Sequence, residues 1–359
     1  ARSVVHTVTF PEHHPRAGDN LLHVERLLKF LLWANGGSRI RISGAPELVP
    51  ELQKQYSPGG ARAFDAETVS RRMFGEDLVI EAVETAPDPI EPRVALGRHL
   101  TGCRIGFDLG GSDRKCAAVI DGDVVFSEEI PWDPYFQSDP DYHLEGIRDS
   151  LNRAAAHLPR VDAIGGSAAG IYRNNEVRVA SLFRGIPDDL FDERVRPIFL
   201  QLRKEWNGIP FDVVNDGEVT ALAASMSLND QAVLGISMGT SLAAGYVDAH
   251  GHITPRLNEL AFCPIDLRAD APVDEWSGDG GCGVQYFSQQ GVARLVPAAG
   301  IDLPADMSFP EQLVDVQNLM QEGDHRAAAL FRTIGVCFGY AIAHYADFYD
   351  IRHLLILGR

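Results

Sequence analysis

Apolar residues recur at helical spacing through residues 21–35 (LLHVERLLKFLLWAN) and give way to Gly36-Gly37, which predicts a helix and its stop. A short β-like run follows at 39–43, then a second helix over 48–56. Ser57-Pro58-Gly59-Gly60 breaks that pattern, and residues 77–83 read as a strand. TAPDPIEPR at 85–93 reads as a linker. Residues 1–100 are therefore expected to form a small N-terminal α+β appendage.

From Cys103 the pattern changes. CRIGFDL, KCAAVI and DVVFSEEI read as three successive strands, the last two joined by Asp121-Gly122, a strong hairpin signal. A helix over 141–157, a strand over 161–167 and a helix over 188–206 follow. FDVVN then reads as a strand running directly into a helix, GEVTALAASM. Residues 232–254 return to strands: AVLGIS, LAAGYVD and GHIT. FGYAIAHYADFY (338–349) fits one apolar helix face on a core. Alternating strands and helices predict an α/β fold with a mixed sheet.

The two halves repeat. Writing IGFDLGGS (105–112) over LGISMGTS (234–241) aligns Gly106 with Gly235, Gly110 with Gly239 and Ser112 with Ser241. Each segment is expected to continue into a second strand, a turn and a third strand. So wide an offset fits two related subdomains and not a solenoid, whose repeats run about 20–50 residues. The expected division is an appendage at 1–100, a first subdomain at 101–230 and a second at 231–359.

Charge narrows the partners. The formal charge is −18, which argues against a general nucleic-acid binder, because phosphate neutralisation needs clustered Lys and Arg. Residues 1–100 carry 12 basic and 13 acidic side chains, so nearly all the negative charge lies beyond them. No apolar run approaches the roughly 18 residues of a membrane span, and the opening residues lack a signal-peptide apolar region. Five widely spaced cysteines without a CxxC predict reduced thiols in a cytoplasmic protein.

In each repeat a strand runs into a Gly/Ser/Thr turn and back. Such a turn exposes backbone N–H groups, and missing Cβ atoms let a phosphate come close. Gly110, Gly111 and Ser112 offer one cradle; Gly239, Thr240 and Ser241 offer the other. Facing each other, they could hold a polyphosphate from both sides. Asp108, ending the first strand, is suited to Mg²⁺ held through water. Lys115 could reach a phosphate or be an ordinary solvated cation. Asn215-Asp216 closes a strand and opens a helix, so Asp216 reads as an N-cap, a general base, or both. The helix dipole would keep its carboxylate ionised.

DLGGSDRK (108–115), VVNDGEVTALAA (213–224) and MGTSLAAG (238–245) resemble the signature segments of ROK proteins, sugar kinases and sugar-responsive repressors of the actin/hexokinase/Hsp70 superfamily. The resemblance implies an actin-like ATPase fold (ribonuclease H-like, duplicated) over residues 103–359. It implies ATP and Mg²⁺ as cofactors, a sugar or polyol as substrate, and a homodimer. Position by position, Asp108 matches the aspartate that organises magnesium, and Gly110–Ser112 and Gly239–Ser241 the two phosphate loops. Asp216 matches the catalytic base. Asn215 and Glu259 match residues that hydrogen-bond the sugar.

Departures from that pattern are as informative. Phe262 stands where the family places a histidine, and Cys282 alone survives of a cysteine-rich zinc segment, so no zinc site is expected. The asparagine expected in SLFRGIP (181–187) is missing, and Arg184 offers a different polar contact. The strand LLILGR (354–359) is expected to lead, in residues missing here, into a loop and helix against the adenine. An ATP-dependent sugar or polyol phosphotransferase is thus the leading expectation. A sugar-responsive regulator is the alternative, with AETVSRRM (66–73) as a recognition helix; against it, the appendage has no net positive charge. A non-catalytic binder of sugar or nucleotide is the third.

Overall fold

A computed structural model describes residues 3–11, 13–90 and 96–358. The far end of the expected linker, Glu91–Arg93, and Arg359 lie outside these. The chain forms two compact units, one made of Leu96–Met226 and the other of Ala1–Ala95 together with Ser227–Arg359. Residues 1–95 are thus built into one unit with the second repeat, where the pattern predicts a separate appendage.

The N-terminal elements are helix α1 (Asn20–Asn35), strand β1 (Arg39–Ile42), helix α2 (Val49–Gln55), helix α3 (Ala63–Asp65) and strand β2 (Val79–Ala82). A π-helical stretch, Ala66–Met73, continues α3. β1 and β2 pair in parallel, Arg39 opposite Val79. α1 ends at Gly36, whose φ of 74° suits glycine; a Cβ there would lie 2.4 Å from the Phe74 ring.

Leu96–Met226 holds strands β3 (Cys103–Leu109), β4 (Asp113–Ile120), β5 (Asp123–Pro131), β6 (Ala163–Ala168), β7 (Ile171–Arg173), β8 (Glu176–Val179) and β9 (Phe211–Asn215). Its helices are α4 (Pro140–Ala155), α5 (Asp188–Leu190), α6 (Ile198–Glu205) and most of α7 (Asp216–Leu228). The main sheet runs β5-β4-β3-β6-β9, with β3, β6 and β9 parallel and β4 antiparallel to both neighbours. Alternate residues of β3 (Ile105, Phe107, Leu109) face the same core as Ile147 and Leu151 of α4 and Phe199 of α6. The Asp121-Gly122 turn has φ of 49° and 95°, as a two-residue hairpin requires. The single helix expected over 188–206 is divided: α5 and a π-helical turn precede Pro197, and α6 begins after it. Proline cannot donate an amide within a continuing helix.

Ser227–Arg359 supplies strands β10 (Val233–Met238), β11 (Leu242–Val247) and β12 (His353–Gly358), with helices α8 (Gln289–Ala298), α9 (Phe309–Gln321) and α10 (His325–Tyr345). β10 pairs antiparallel with β11 and parallel with β12, as β3 pairs with β4 and β6. The internal repeat is therefore one of topology as well as of sequence. The third strand expected at GHIT is not formed; only an isolated bridge joins Val247 and Ile253. α10 buries Phe338, Ala341 and Tyr345 on one face. At 21 residues it is long and apolar enough to cross a membrane by length and composition, a property the pattern of short apolar runs does not suggest.

α1 enters this unit with its charges. The fully buried Lys29 ammonium lies 2.7 Å from Asp279 and 3.3 Å from Asp65. Arg26 reaches Asp279 at 2.8 Å and Glu25 at 2.7 Å, and Arg62 reaches Asp279 at 2.7 Å. Removing one partner of a buried ion pair leaves an uncompensated charge in a medium that solvates it poorly. Lys29→Met is expected to lower stability by about 3–5 kcal/mol, read as a fall in the denaturant midpoint; an unchanged midpoint would show the cluster to be ornamental.

Candidate active site

The candidate residues fall in both units, and each group is built by its own unit. In Leu96–Met226 the first glycine loop joins β3 to β4. The Gly110 amide donates to the Asp113 carbonyl at 2.9 Å, closing the turn, while no backbone carbonyl among the described residues accepts from the amides of Gly111 or Ser112. Trp132 straps the loop from outside: its indole Nε1 donates to the Gly110 carbonyl at 2.7 Å and its amide to the Ser112 carbonyl at 3.1 Å. A Cβ on Gly111 would meet the Tyr135 hydroxyl at 2.0 Å, so a larger residue there would have to displace the Tyr135 ring. The Arg184 guanidinium stacks on the Tyr135 ring at 4.0 Å. Arg184 therefore sits beside the first glycine loop. Trp132 and Tyr135 escape the sequence reading; the signal for them is the aromatic run PWDPYF following β5.

Parallel pairing of β3 with β6 and of β6 with β9 brings Asp108, Ser167 and Asn215 to one end of the sheet. The Ser167 hydroxyl donates to Asp108 Oδ1 at 2.5 Å. The Lys115 ammonium lies 2.7 Å from Asp113 and 3.8 Å from Asp108 Oδ2, and the Asp113 hydrogen bond holds its pKa above the ordinary lysine range. Among the described residues no three His, Cys, Asp or Glu side chains gather to hold a metal alone. One half-exposed carboxylate beside free loop amides nevertheless suits magnesium, which keeps several waters and takes its remaining ligands from phosphates. Arg114 turns away, donating to Gly146, Ser150 and Asp149.

Asn215 precedes α7 and caps it: its Oδ1 accepts from the Gly217 amide at 2.8 Å while its Nδ2 donates to the Gly170 carbonyl at 2.8 Å. Asp216 Oδ1 shares the Gly217 amide at 3.0 Å. The Asp216 side chain is exposed to water, though crowded by the protein atoms around it. That desolvation raises its pKa above the usual 3.8; the Gly217 amide opposes the shift and the negative charge of Asp108 adds to it. Desolvation and a like charge thus work against the helix dipole that was expected to keep this carboxylate ionised. Crowding by protein atoms and a like charge together outweigh the hydrogen bond from the Gly217 amide.

In the other unit, Gly239–Ser241 joins β10 to β11. The Gly239 amide donates to the Ser241 carbonyl at 2.9 Å, and the amides of Thr240 and Ser241 find no backbone acceptor among the described residues. A Cβ on Gly239 would meet only the Ser241 carbonyl, at 4.0 Å, so this loop faces open space. α8 abuts it, the Gln289 amide donating to the Gly239 carbonyl at 3.0 Å. Behind α8 a cavity of about 570 Å³ is lined by residues including Gln285, Gln290, Arg294, Ile301 and Gln312. Nothing in the sequence pattern marked it. Arg294 donates to the Gln285 carbonyl at 2.8 Å and stacks on the Tyr286 ring. Glu259 is half-buried, and Phe262 stacks on Trp33 of α1 with ring centroids 4.3 Å apart. An aromatic pair thus stands where the resemblance puts a histidine.

Because its pKa is raised, Asp216 binds its proton more tightly in the folded protein than in the unfolded chain. It therefore opposes folding at neutral pH, and that penalty fades as the pH falls through the raised value. Asp216→Asn is expected to raise the unfolding midpoint at pH 7. Asp108→Asn is expected to lower the Asp216 pKa, read by carbon NMR titration of the side-chain carboxyl. A wild-type Asp216 titrating at or below 3.8 would contradict this account.

No family profile and no curated protein matches the sequence. Solved structures do match. A ROK hexokinase from Thermus thermophilus is 19% identical with a TM-score of 0.56, covering 72% of this chain and 82% of that one. A ROK family glucokinase from Streptomyces griseus, solved with glucose and AMPPNP, is 20% identical with a TM-score of 0.50, covering 72% and 83%. A ROK family transcriptional regulator, a homologue of the E. coli MLC protein, is 20% identical with a TM-score of 0.54, covering 93% and 83%. At these identities the likeness is one of fold: the chain shares the fold of ROK proteins.

Proposed function

We propose that this chain is a ROK family member, built on a duplicated actin-like ATPase core, that transfers the γ-phosphoryl group of ATP to a hydroxyl of a sugar or polyol in the cytoplasm. The observation that carries the proposal is that two glycine loops on topologically matching hairpins each keep amides from which no backbone carbonyl accepts among the described residues, in a chain whose α7 opens on a carboxylate, Asp216, with a raised pKa. A general base works best when its pKa approaches the working pH. Asp216 accepts the proton of the attacking hydroxyl, with Asn215 fixed beside it by its two protein hydrogen bonds. Glu259 hydrogen-bonds the acceptor.

The amides of Gly111, Ser112, Thr240 and Ser241 bind phosphate oxygens, with Lys115 and Arg184 as nearby cations. A Mg²⁺ ion held through water by Asp108 would neutralise charge developing on the transferred group. The cavity lined by α8, the helix whose first residue bonds the second loop, takes the nucleoside end, with Gln285, Gln290, Gln312 and Arg294 among its lining residues. Protein groups that hydrogen-bond specific hydroxyls set acceptor selectivity, so Phe262, standing where the resemblance puts a histidine, argues for an acceptor pocket unlike that of a glucose enzyme.

The regulator reading rests on one observation, that the MLC homologue covers 93% of this chain, N-terminal residues included. Residues 1–95 fit that role poorly. Arg71 lies 3.5 Å from Glu67 and 3.4 Å from Asp77, and Arg72 lies 3.8 Å from Glu67. The cations of α1 are buried. Gel-shift titration is expected to show no binding that steepens at low salt; a bound fragment with a steep salt slope would favour the regulator.

The catalytic proposal is tested by phosphate transfer from MgATP across a panel of sugars and polyols. Asp216→Asn is expected to lower kcat by roughly 10²–10⁴-fold. Equal activity in wild type and variant would end the kinase assignment. Sugar binding by calorimetry without transfer would point to a binding protein.

A further inference from the structure

An α-helix leaves its last carbonyls without helical partners. At the end of α1 the Gly36 amide turns back to the Leu32 carbonyl at 2.7 Å, and the next two carbonyls have distant acceptances: Trp33 from the Glu259 amide at 3.2 Å and Ala34 from the Asn258 amide at 3.0 Å. Asn258 is buried, at φ 55°, a left-handed conformation that asparagine tolerates. Its side-chain oxygen accepts from the Tyr349 hydroxyl at 3.1 Å. Three residues beyond Glu259 the Phe262 ring lies on the Trp33 indole. That indole is itself fixed, fully buried, with Nε1 donating to Asp65 Oδ1 at 2.7 Å. Lys29, one turn earlier, bridges Asp65 and Asp279. The main chain carrying Glu259 is thus held on one side by the C-terminal turn of α1 and by one indole ring.

We infer that α1 is a positioning element of the acceptor site, with Trp33 setting the placement of Glu259; the inference rests on the phosphotransferase reading, in which Glu259 contacts the acceptor. Trp33 touches no reacting group in that reading and acts only through the Glu259 segment. Residues 1–95 then serve acceptor binding from inside the catalytic body, and do not act as a separate head. The loop amides and Asp216 owe nothing to this contact, so its loss should fall on acceptor affinity and spare the nucleotide.

The test uses the full chain with MgATP and three probe acceptors, D-glucose, D-mannose and N-acetyl-D-mannosamine. Trp33→Leu removes the stack and the indole N–H, whereas Trp33→Phe keeps a ring. Trp33→Leu is expected to raise the acceptor KM about tenfold while the KM for ATP stays within about twofold, with Trp33→Phe restoring most of the loss. In a double-mutant cycle, Trp33→Leu is expected to add little to Glu259→Gln, since both act through one contact.

Acceptor and ATP constants shifting together, or effects that add fully in the cycle, would overturn the inference. If Trp33→Leu does not fold by circular dichroism, Trp33→Phe decides alone: an acceptor-only rise of about threefold supports it and no rise overturns it. A wild type that neither phosphorylates nor binds any of the three sugars would remove the acceptor reading and this inference with it. A wild type that binds, beside a folded Trp33→Leu that binds equally, would remove the positioning role alone.

Discussion

Lys29 is fully buried, and its ammonium is compensated by Asp279 and Asp65. Taking such charges out of water costs several kcal/mol per ion, repaid only when the geometry supplies close partners. Here the partners come from three stretches of chain: α1, the end of α3, and the segment that leads into α8. Forming the cluster therefore fixes those stretches together. Whatever Glu259 and Phe262 do depends on that junction. α1 carries the cations that satisfy Asp279 and the carbonyls that satisfy Asn258 and Glu259.

The two hairpins impose a second constraint. β3–β4 and β10–β11 each close a short turn by a glycine amide donating across the loop, and the next two amides of each loop find no backbone acceptor among the described residues. The parallel third strand of each sheet then brings further residues to the same end, as β6 and β9 do for Ser167 and Asn215. The loops differ in what covers them. Trp132 and Tyr135 pack against the first, while the second is open at Gly239 and flanked by α8. Related backbone turns thus present one strapped cradle and one exposed one.

Asp216 shows how local and tertiary effects compete. A carboxylate at a helix N-terminus is stabilised in its ionised form by about 0.3–1 kcal/mol at an exposed position. Here Asn215 takes the capping position, and desolvation with the nearby Asp108 moves the pKa upward. The helix start is visible in the sequence, but the direction of the shift is not, because it depends first on desolvation by the surrounding fold and then on Asp108, which β3 brings close from far along the chain.

The sequence by itself determined the elements whose signals are local. These include the α1 helix and its glycine stop, the Asp121-Gly122 hairpin, the repeat of strand, glycine turn and strand, and the run from β9 into α7. Each rests on periodicity or on a backbone conformation that few residues adopt. The break at Pro197 and the absence of a paired strand at GHIT were missed because proline and partner availability override a short apolar pattern. Only the tertiary structure decided where the charges of α1 go, that Trp33 lies under Phe262, that Arg184 stacks on Tyr135, and that a cavity opens behind α8. The reason is physical. Burial, ion pairing and ring stacking join residues that are distant in the chain, and no periodicity encodes which distant partner a side chain will meet.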